Sequence, residues 1–244
     1  MAEPNPNPTA RDNGEQGEEK GEEEVLFNAT RHEHNLVLFE GLPAYTCSGC
    51  RDYGGNMGYK CKSSSGSKCQ NFTLHEVCAA LPDAIQGRHI QHPFRSDVIV
   101  KFRAKTLLRH HCSACCEVVK GFVFETERHN IRLHPLCMAL PEILDYSRHA
   151  NHKLRIVTGD LKGKAYTCSA CDGGIACGGW RYRCEDVACK VYVDPSCAKN
   201  DIFGLPDHGI HRVASVGNNT SRRTQTSSGL VQSVINGVVT VLTS

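Results

Sequence analysis

Residues 75–92 read His75-Glu76-Val77-Cys78-Ala79-Ala80-Leu81-Pro82-Asp83-Ala84-Ile85-Gln86-Gly87-Arg88-His89-Ile90-Gln91-His92. The stretch holds three signatures: His-x2-Cys, Leu-Pro followed by an acid, and His-x2-His. All three return downstream in the same order. His134/Cys137 is followed by Leu140-Pro141-Glu142 and by His149/His152, and Asp194/Cys197 is followed by Leu205-Pro206-Asp207 and by His208/His211. Ahead of each copy stands a Cys-x2-Cys pair, at Cys47/Cys50, Cys112/Cys115 and Cys168/Cys171, with separations of 65 and 56 residues. Four features recurring three times in one order define a repeat, with a unit of roughly 60 residues.

The composition says what such a unit lacks. The 244 residues include 15 Cys and 13 His but only 7% aromatic residues and one Trp. A unit so poor in large apolar side chains cannot bury enough area to fold alone. The polar N-terminus has no apolar signal-peptide core and no run of apolar residues is long enough to span a bilayer, so the expectation is an intracellular protein, in cytoplasm or nucleus, that is not secreted. Thiols in that setting point to metal before disulfides. Residues 1–30 carry two basic and eight acidic side chains, and the rest carries 26 basic and 18 acidic. The acidic segment 1–30 reads as a disordered tail, and the mildly basic body as a solvated surface.

The first unit presents His34, Cys47, Cys50, Cys61, Cys69, His75, Cys78 and His89, eight donors that suffice for two tetrahedral zinc sites. Cys-x2-Cys turns let two thiolates meet one ion, and Ser48-Gly49 and Gly54-Gly55 permit the tight backbone involved. Structural zinc contributes on the order of 10 kcal/mol per site, so folding is expected to depend on metal.

The order His-x12-Cys-x2-Cys, a central Gly58-Tyr59-Lys60-Cys61, then His-x2-Cys resembles the zinc module that binds diacylglycerol and phorbol ester in protein kinase C. With the Leu-Pro tail and the linking His-x2-His it is similar to the plant Cys/His-rich divergent C-one domain proteins, over about residues 32–211. That resemblance implies interleaved sites, one made by the first Cys pair with His-x2-Cys, the other by the leading His, the second Cys pair and a ligand beyond the last Cys.

Carried onto this chain, the resemblance assigns Cys47, Cys50, His75 and Cys78 to one site of module one, and His34, Cys61, Cys69 and His89 to the other, across a Ser/Gly-rich insert at 62–68. Module two has Cys112, Cys115, His134 and Cys137; its second site retains His92, His129 and His149, because Thr126 and His129 align with the second Cys pair. This site is expected to be degenerate, with an open three-His zinc or completion by Cys116 as alternatives. Module three has Cys168, Cys171, Asp194 and Cys197, a carboxylate replacing imidazole, and His152, Cys184, Cys189 and His208. Five or six zinc ions per chain follow. Cys116 and Cys177 are spare, the latter expected as a free thiol.

The expected fold is therefore three tandem zinc-stabilised β-rich modules, with few short strands and short helical turns, spanning 31–91, 92–151 and 152–211 between disordered tails. Strands are expected near 98–103, 118–124 and 180–183, and helical turns after the His-x2-Cys pairs, stopped by Pro82 and Pro141. Tyr59, Phe72, Phe124, Ile131, Leu133, Tyr182 and Tyr192 read as small cores. Within the tail 212–244, apolar pairs over 230–242 suggest a short amphipathic helix. The expected function is that of a non-enzymatic, monomeric zinc protein working as an interaction module in signal transduction or stress response, as the resemblance implies, with another protein as partner. Lipid headgroups or nucleic acid are alternative ligands. A thiol–disulfide oxidoreductase is a further alternative, although no thioredoxin-like strand–helix run surrounds the Cys pairs.

Overall fold

The computed structural model describes residues 25–26, 30–63, 69–86, 98–105, 109–127, 130–158, 165–175 and 180–203. His89, His92, His129, Cys177, His208, most of the acidic tail and the candidate helix at 230–242 lie outside the described residues.

Three four-stranded antiparallel sheets repeat along the chain. The first is ordered β1 (Val25–Leu26), β2 (Leu36–Thr46), β3 (Tyr53–Cys61), β4 (Thr73–Leu74), and α1 (Glu76–Ala80) follows it. The second sheet uses β5 (Ala84–Gln86) and β6 (Ile99–Arg103); β7 (His110–His111) and β8 (Val118–Val119) then form a separate two-stranded ribbon. It continues with β9 (Val123–Glu125) and β10 (Arg132–Leu133), and α2 (Pro135–Met138) follows. The third contains β11 (Ile143–Leu144), β12 (Leu154–Val157), β15 (Arg181–Cys184) and β16 (Tyr192–Val193), with β13 (Tyr166–Thr167) and β14 (Gly174–Ile175) as its ribbon, and ends in α3 (Pro195–Ile202). In the first sheet the ribbon is continuous with β2 and β3, through register shifts between Phe39 and Leu42 and between Leu42 and Tyr45.

The second and third sheets take their first strand from beyond the preceding Leu-Pro-acid turn. Ala84–Gln86 pairs with β6, and Ile143–Leu144 with β12. The turn is tied forward in the same way both times, since Phe102 N–H donates to the Asp83 carbonyl at 2.7 Å and Ile156 N–H to the Glu142 carbonyl at 2.8 Å. Residues 84–86 and 143–144, grouped by sequence with the module before them, thus belong to the sheet after them. Val25–Leu26 likewise forms an edge strand inside the stretch expected to be disordered.

The helices begin directly after His75, His134 and Asp194, so the cysteine of each His/Asp-x2-Cys pair lies within the helix rather than before it. Tyr59, Phe124, Leu133 and Tyr182 are buried, and Phe72, Ile131 and Tyr192 pack half-buried against them.

The modules share their interior. One apolar cluster runs from Val77, Leu81 and Ile85 through Phe124 and Leu136 to Tyr182 and Val193, and Phe122, just before β9, enters the core of the first sheet. Gly49 and Gly121 make that entry possible. Phe122 N–H reaches the Gly49 carbonyl at 3.0 Å, and a Cβ on Gly121 would lie 1.9 Å from that carbonyl oxygen.

Two buried cations fasten the joints. Arg31 donates to the carbonyls of Cys78 and Leu81 and to Asp83, and its guanidinium lies 3.3 Å from the Phe102 ring centroid. Lys199 of α3 reaches back to Asp52 at 3.2 Å and Glu117 at 3.1 Å. Both carboxylates stand two residues after a knuckle's second cysteine, so one ammonium touches all three modules. Burial works against its charge, yet Cys137, Asp52, Cys115 and Glu117 hold its pKa well above that of a free lysine.

Candidate metal centres

Each Cys-x2-Cys pair is presented by the same backbone device. The first cysteine's N–H donates to the carbonyl five residues on, for Cys47 to Asp52, Cys112 to Glu117 and Cys168 to Gly173. The fourth residue after it turns left-handed, with φ of 68° at Arg51, 61° at Cys116 and 58° at Asp172. The serine between is structural as well: Ser48, Ser113 and Ser169 donate N–H to Thr73, Arg132 and Tyr192 and accept those residues' N–H on Oγ. A Cys-Ser-x-Cys sequence therefore pins the knuckle to the strand that delivers the next ligand.

At that next ligand two modules agree. Cys47, Cys50, His75 and Cys78 converge, as do Cys112, Cys115, His134 and Cys137, all eight buried and with donor atoms within 4.8 Å of one another. His75 Nε2 faces the Tyr53 carbonyl at 2.8 Å and His134 Nε2 the Val118 carbonyl at 3.3 Å. With its proton on Nε2, each ring turns Nδ1 to the sulfurs, 3.4 Å from Cys50 and from Cys115. Gly54 allows this approach, because a Cβ there would lie 2.6 Å from His75 Nε2. Two donors on a tetrahedral zinc, one S and one N, stand about 3.5 Å apart, so these quartets fit the ion.

The second kind of site differs from expectation in its histidines. His32, His34, Cys61 and Cys69 form one quartet, and His149, His152, Cys184 and Cys189 the other. His34 Nδ1 lies 3.3 Å from Cys69, His152 Nδ1 3.2 Å from Cys189 and His149 Nε2 3.3 Å from Cys184. His32 and His149 thus fill the places assigned to His89 and His208, and His149 belongs with module three rather than module two. In modules one and three the His pair preceding the first Cys pair serves the module it introduces. The signal was visible in His32-Glu33-His34, one residue shorter than His149-x2-His152. The insert 64–68 lies outside the described residues, but Cys61 and Cys69 on either side of it meet.

Module two has no second cluster among the described residues. Thr126 does occupy the place of the first missing cysteine: its N–H donates to the Ile131 carbonyl, as Cys61 does to Phe72 and Cys184 to Val191. Eleven residues separate the first of these pairs and seven the last, whereas Thr126 and Ile131 are five apart. Thr126 Oγ1 accepts the Ile131 N–H in return, closing the shortened turn with a hydrogen bond where its neighbours place a cysteine.

At the knuckle of module three, Cys168, Cys171 and Cys197 gather as a trio. Asp194, expected as the fourth ligand, is not among them. Its Oδ1 accepts the Ser196 N–H at 2.8 Å and the Ser196 hydroxyl at 2.6 Å, capping α3. Cys116 is not a rescuing ligand; it holds the left-handed position of its knuckle, is exposed and is disulfide-bonded. The five clusters take in all thirteen free cysteines among the described residues.

The protons follow the donor sets. Burial alone would raise Cys47 and Cys112, yet hydrogen bonds from the neighbouring thiols and imidazole hold both well below the ordinary thiol range. Cys168 falls to about 5, first through its bond with Cys197, against burial and with help from the Asp194 and Ala170 N–H groups. Burial pushes Cys78 up, and the bond to Cys112 does the same for Cys137. His75 and His134 resist the lowering effect of burial because thiolates face them. Thiols and imidazoles gathered in this way are the groups on which a divalent cation replaces protons.

Comparison with known families agrees with the geometry. The C1 domain family profile matches residues 30–79 and 147–198. These two stretches are similar to C1-type Cys/His-rich modules. Each match opens just before a His pair, at His32 and at His149, and takes in two clusters. No curated protein and no solved structure matches the chain.

Proposed function

We propose that the protein is a non-enzymatic zinc-dependent scaffold, an intracellular signalling module that holds five zinc ions and presents the joined surface of three modules to a protein partner. The observation that carries this reading is the saturation of the donors. Four of the five clusters present four protein donors each, the closed arrangement of structural rather than catalytic zinc. Among the described residues, thirteen sulfurs and six imidazole nitrogens make up the five clusters.

The middle module is the third of the same kind on this reading, since its strand order, knuckle and buried quartet repeat those of the two matched stretches. The buried Lys199 and Arg31 joints favour one continuous surface over three independent beads. Among the described residues no helix is long and apolar enough to cross a membrane.

Zinc X-ray absorption of the loaded protein tests the assignment. A first shell with roughly twice as much sulfur as nitrogen is expected; a shell dominated by oxygen would refute structural zinc. Co-sedimentation with vesicles with and without diacylglycerol tests the partner class: selective binding to the diacylglycerol vesicles would replace the protein partner with a lipid one.

A further inference from the structure

Asp194 has the backbone of a ligand and the side chain of a cap. Its φ and ψ of −65° and 140° match those of His75, −59° and 151°, and His134, −60° and 149°. Reach does not explain its absence from the cluster. The histidines bind through Nδ1, and a carboxylate oxygen stands equally far along the side chain. Competition explains it. Ser196, at the second position of α3, offers both its N–H and its hydroxyl to Oδ1, whereas modules one and two have Val77 and Leu136 there. The exchange shows in the helices: α1 and α2 have no side-chain cap and run five and four residues, while α3 is capped and runs eight.

The trio is also less enclosed than its counterparts. Cys171 and Cys197 are half-buried where Cys50 and Cys78 are 1% exposed and Cys115 and Cys137 7% and 0%. Nearby, the Tyr146 hydroxyl is buried without a hydrogen-bond partner.

We propose that the Cys168/Cys171/Cys197 site holds its zinc through three thiolates and leaves the fourth position to an exchangeable donor, water at rest and a small imidazole or thiol when one is supplied. This rests on the clusters being zinc sites, and the zinc count of the loaded protein checks that separately.

The test follows zinc transfer from the loaded full chain to the chromophoric chelator 4-(2-pyridylazo)resorcinol, together with the visible spectrum of the cobalt-substituted protein titrated with imidazole. One ion of the set is expected to leave about tenfold faster than the rest, and imidazole is expected to shift one cobalt site. Asp194→Asn keeps the cap but removes a carboxylate donor, and should change neither result. Asp194→His with Ser196→Val restores the module-one arrangement, and should abolish both the fast phase and the imidazole shift.

Release of all ions in one phase would overturn the proposal, as would an Asp194→Asn effect on the fast phase or a fast phase that survives in the double variant. If the double variant does not fold, the Asp194→Asn comparison decides alone. A loaded protein that binds no zinc would instead defeat the underlying metal reading.

Discussion

Modules one and two build the same buried quartet and then part at the far end of the sheet. In module one an eleven-residue excursion brings Cys61 and Cys69 to His32 and His34. In module two Thr126 closes a five-residue turn onto Ile131 by hydrogen bonds. The middle module has something the first lacks, since Phe102, Phe122, Phe124, Leu133 and Leu136 lie between neighbours on both sides, inside or against the shared core. The lesson is that the knuckle site defines the unit, whereas the His-pair site supports the end of a sheet that packing has not already secured.

The largest effect should come from the knuckle of the middle module. Cys112→Ser removes one donor from a fully buried quartet worth on the order of 10 kcal/mol. Because the core runs through this module, the variant should lose more ions than its own one and lose the circular-dichroism signature of the fold. A variant that loses one ion and stays folded would break the comparison.

Cys61→Ser should behave in the opposite way. It should cost one ion and fray the 61–72 loop, with the other four clusters retained, as native mass spectrometry and hydrogen exchange would show.

Lys199→Ala tests the joint rather than a site. It leaves Asp52 and Glu117 without their buried cation, and a loss of about 2 kcal/mol in denaturant melts is expected, Glu117 contributing less because it is half exposed. The folded-state pKa of Lys199 is raised. Its contribution is therefore fully present below the free-lysine value of about 10.4 and fades only as pH climbs through the higher folded value. The difference between wild type and variant should stay flat through neutral pH.

The smallest effect should be that of Thr126→Ala, about 1 kcal/mol for the lost bond to the Ile131 N–H, with the zinc count unchanged. A change in zinc count would mean that the turn of module two hides a metal site.

The repeat, the two buried quartets and the β-rich fold were legible in the sequence because ligand spacing states them directly. The ownership of the His pairs was not. A His-x2-His between two modules can be given to either one by sequence, and only the pairing of Ala84–Gln86 with β6, and of Ile143–Leu144 with β12, shows that the chain has already entered the next sheet. Asp194 was misread for a related reason. A carboxylate is an acceptable zinc ligand, and the structure instead gives its Oδ1 to Ser196, two residues on, as a helix cap. The loss of the second cysteine pair of module two was readable, but the hydrogen bonds at Thr126 depend on a loop length whose meaning appears only beside Cys61–Phe72 and Cys184–Val191.

The central claim is that protein-built zinc clusters hold three modules in one fold. Native mass spectrometry of the full chain before and after chelation, with circular dichroism on the same samples, tests it most directly. Five zinc ions, lost on chelation together with the folded signature, are the predicted result. Two ions or fewer, or a fold that survives complete removal of zinc, would contradict it.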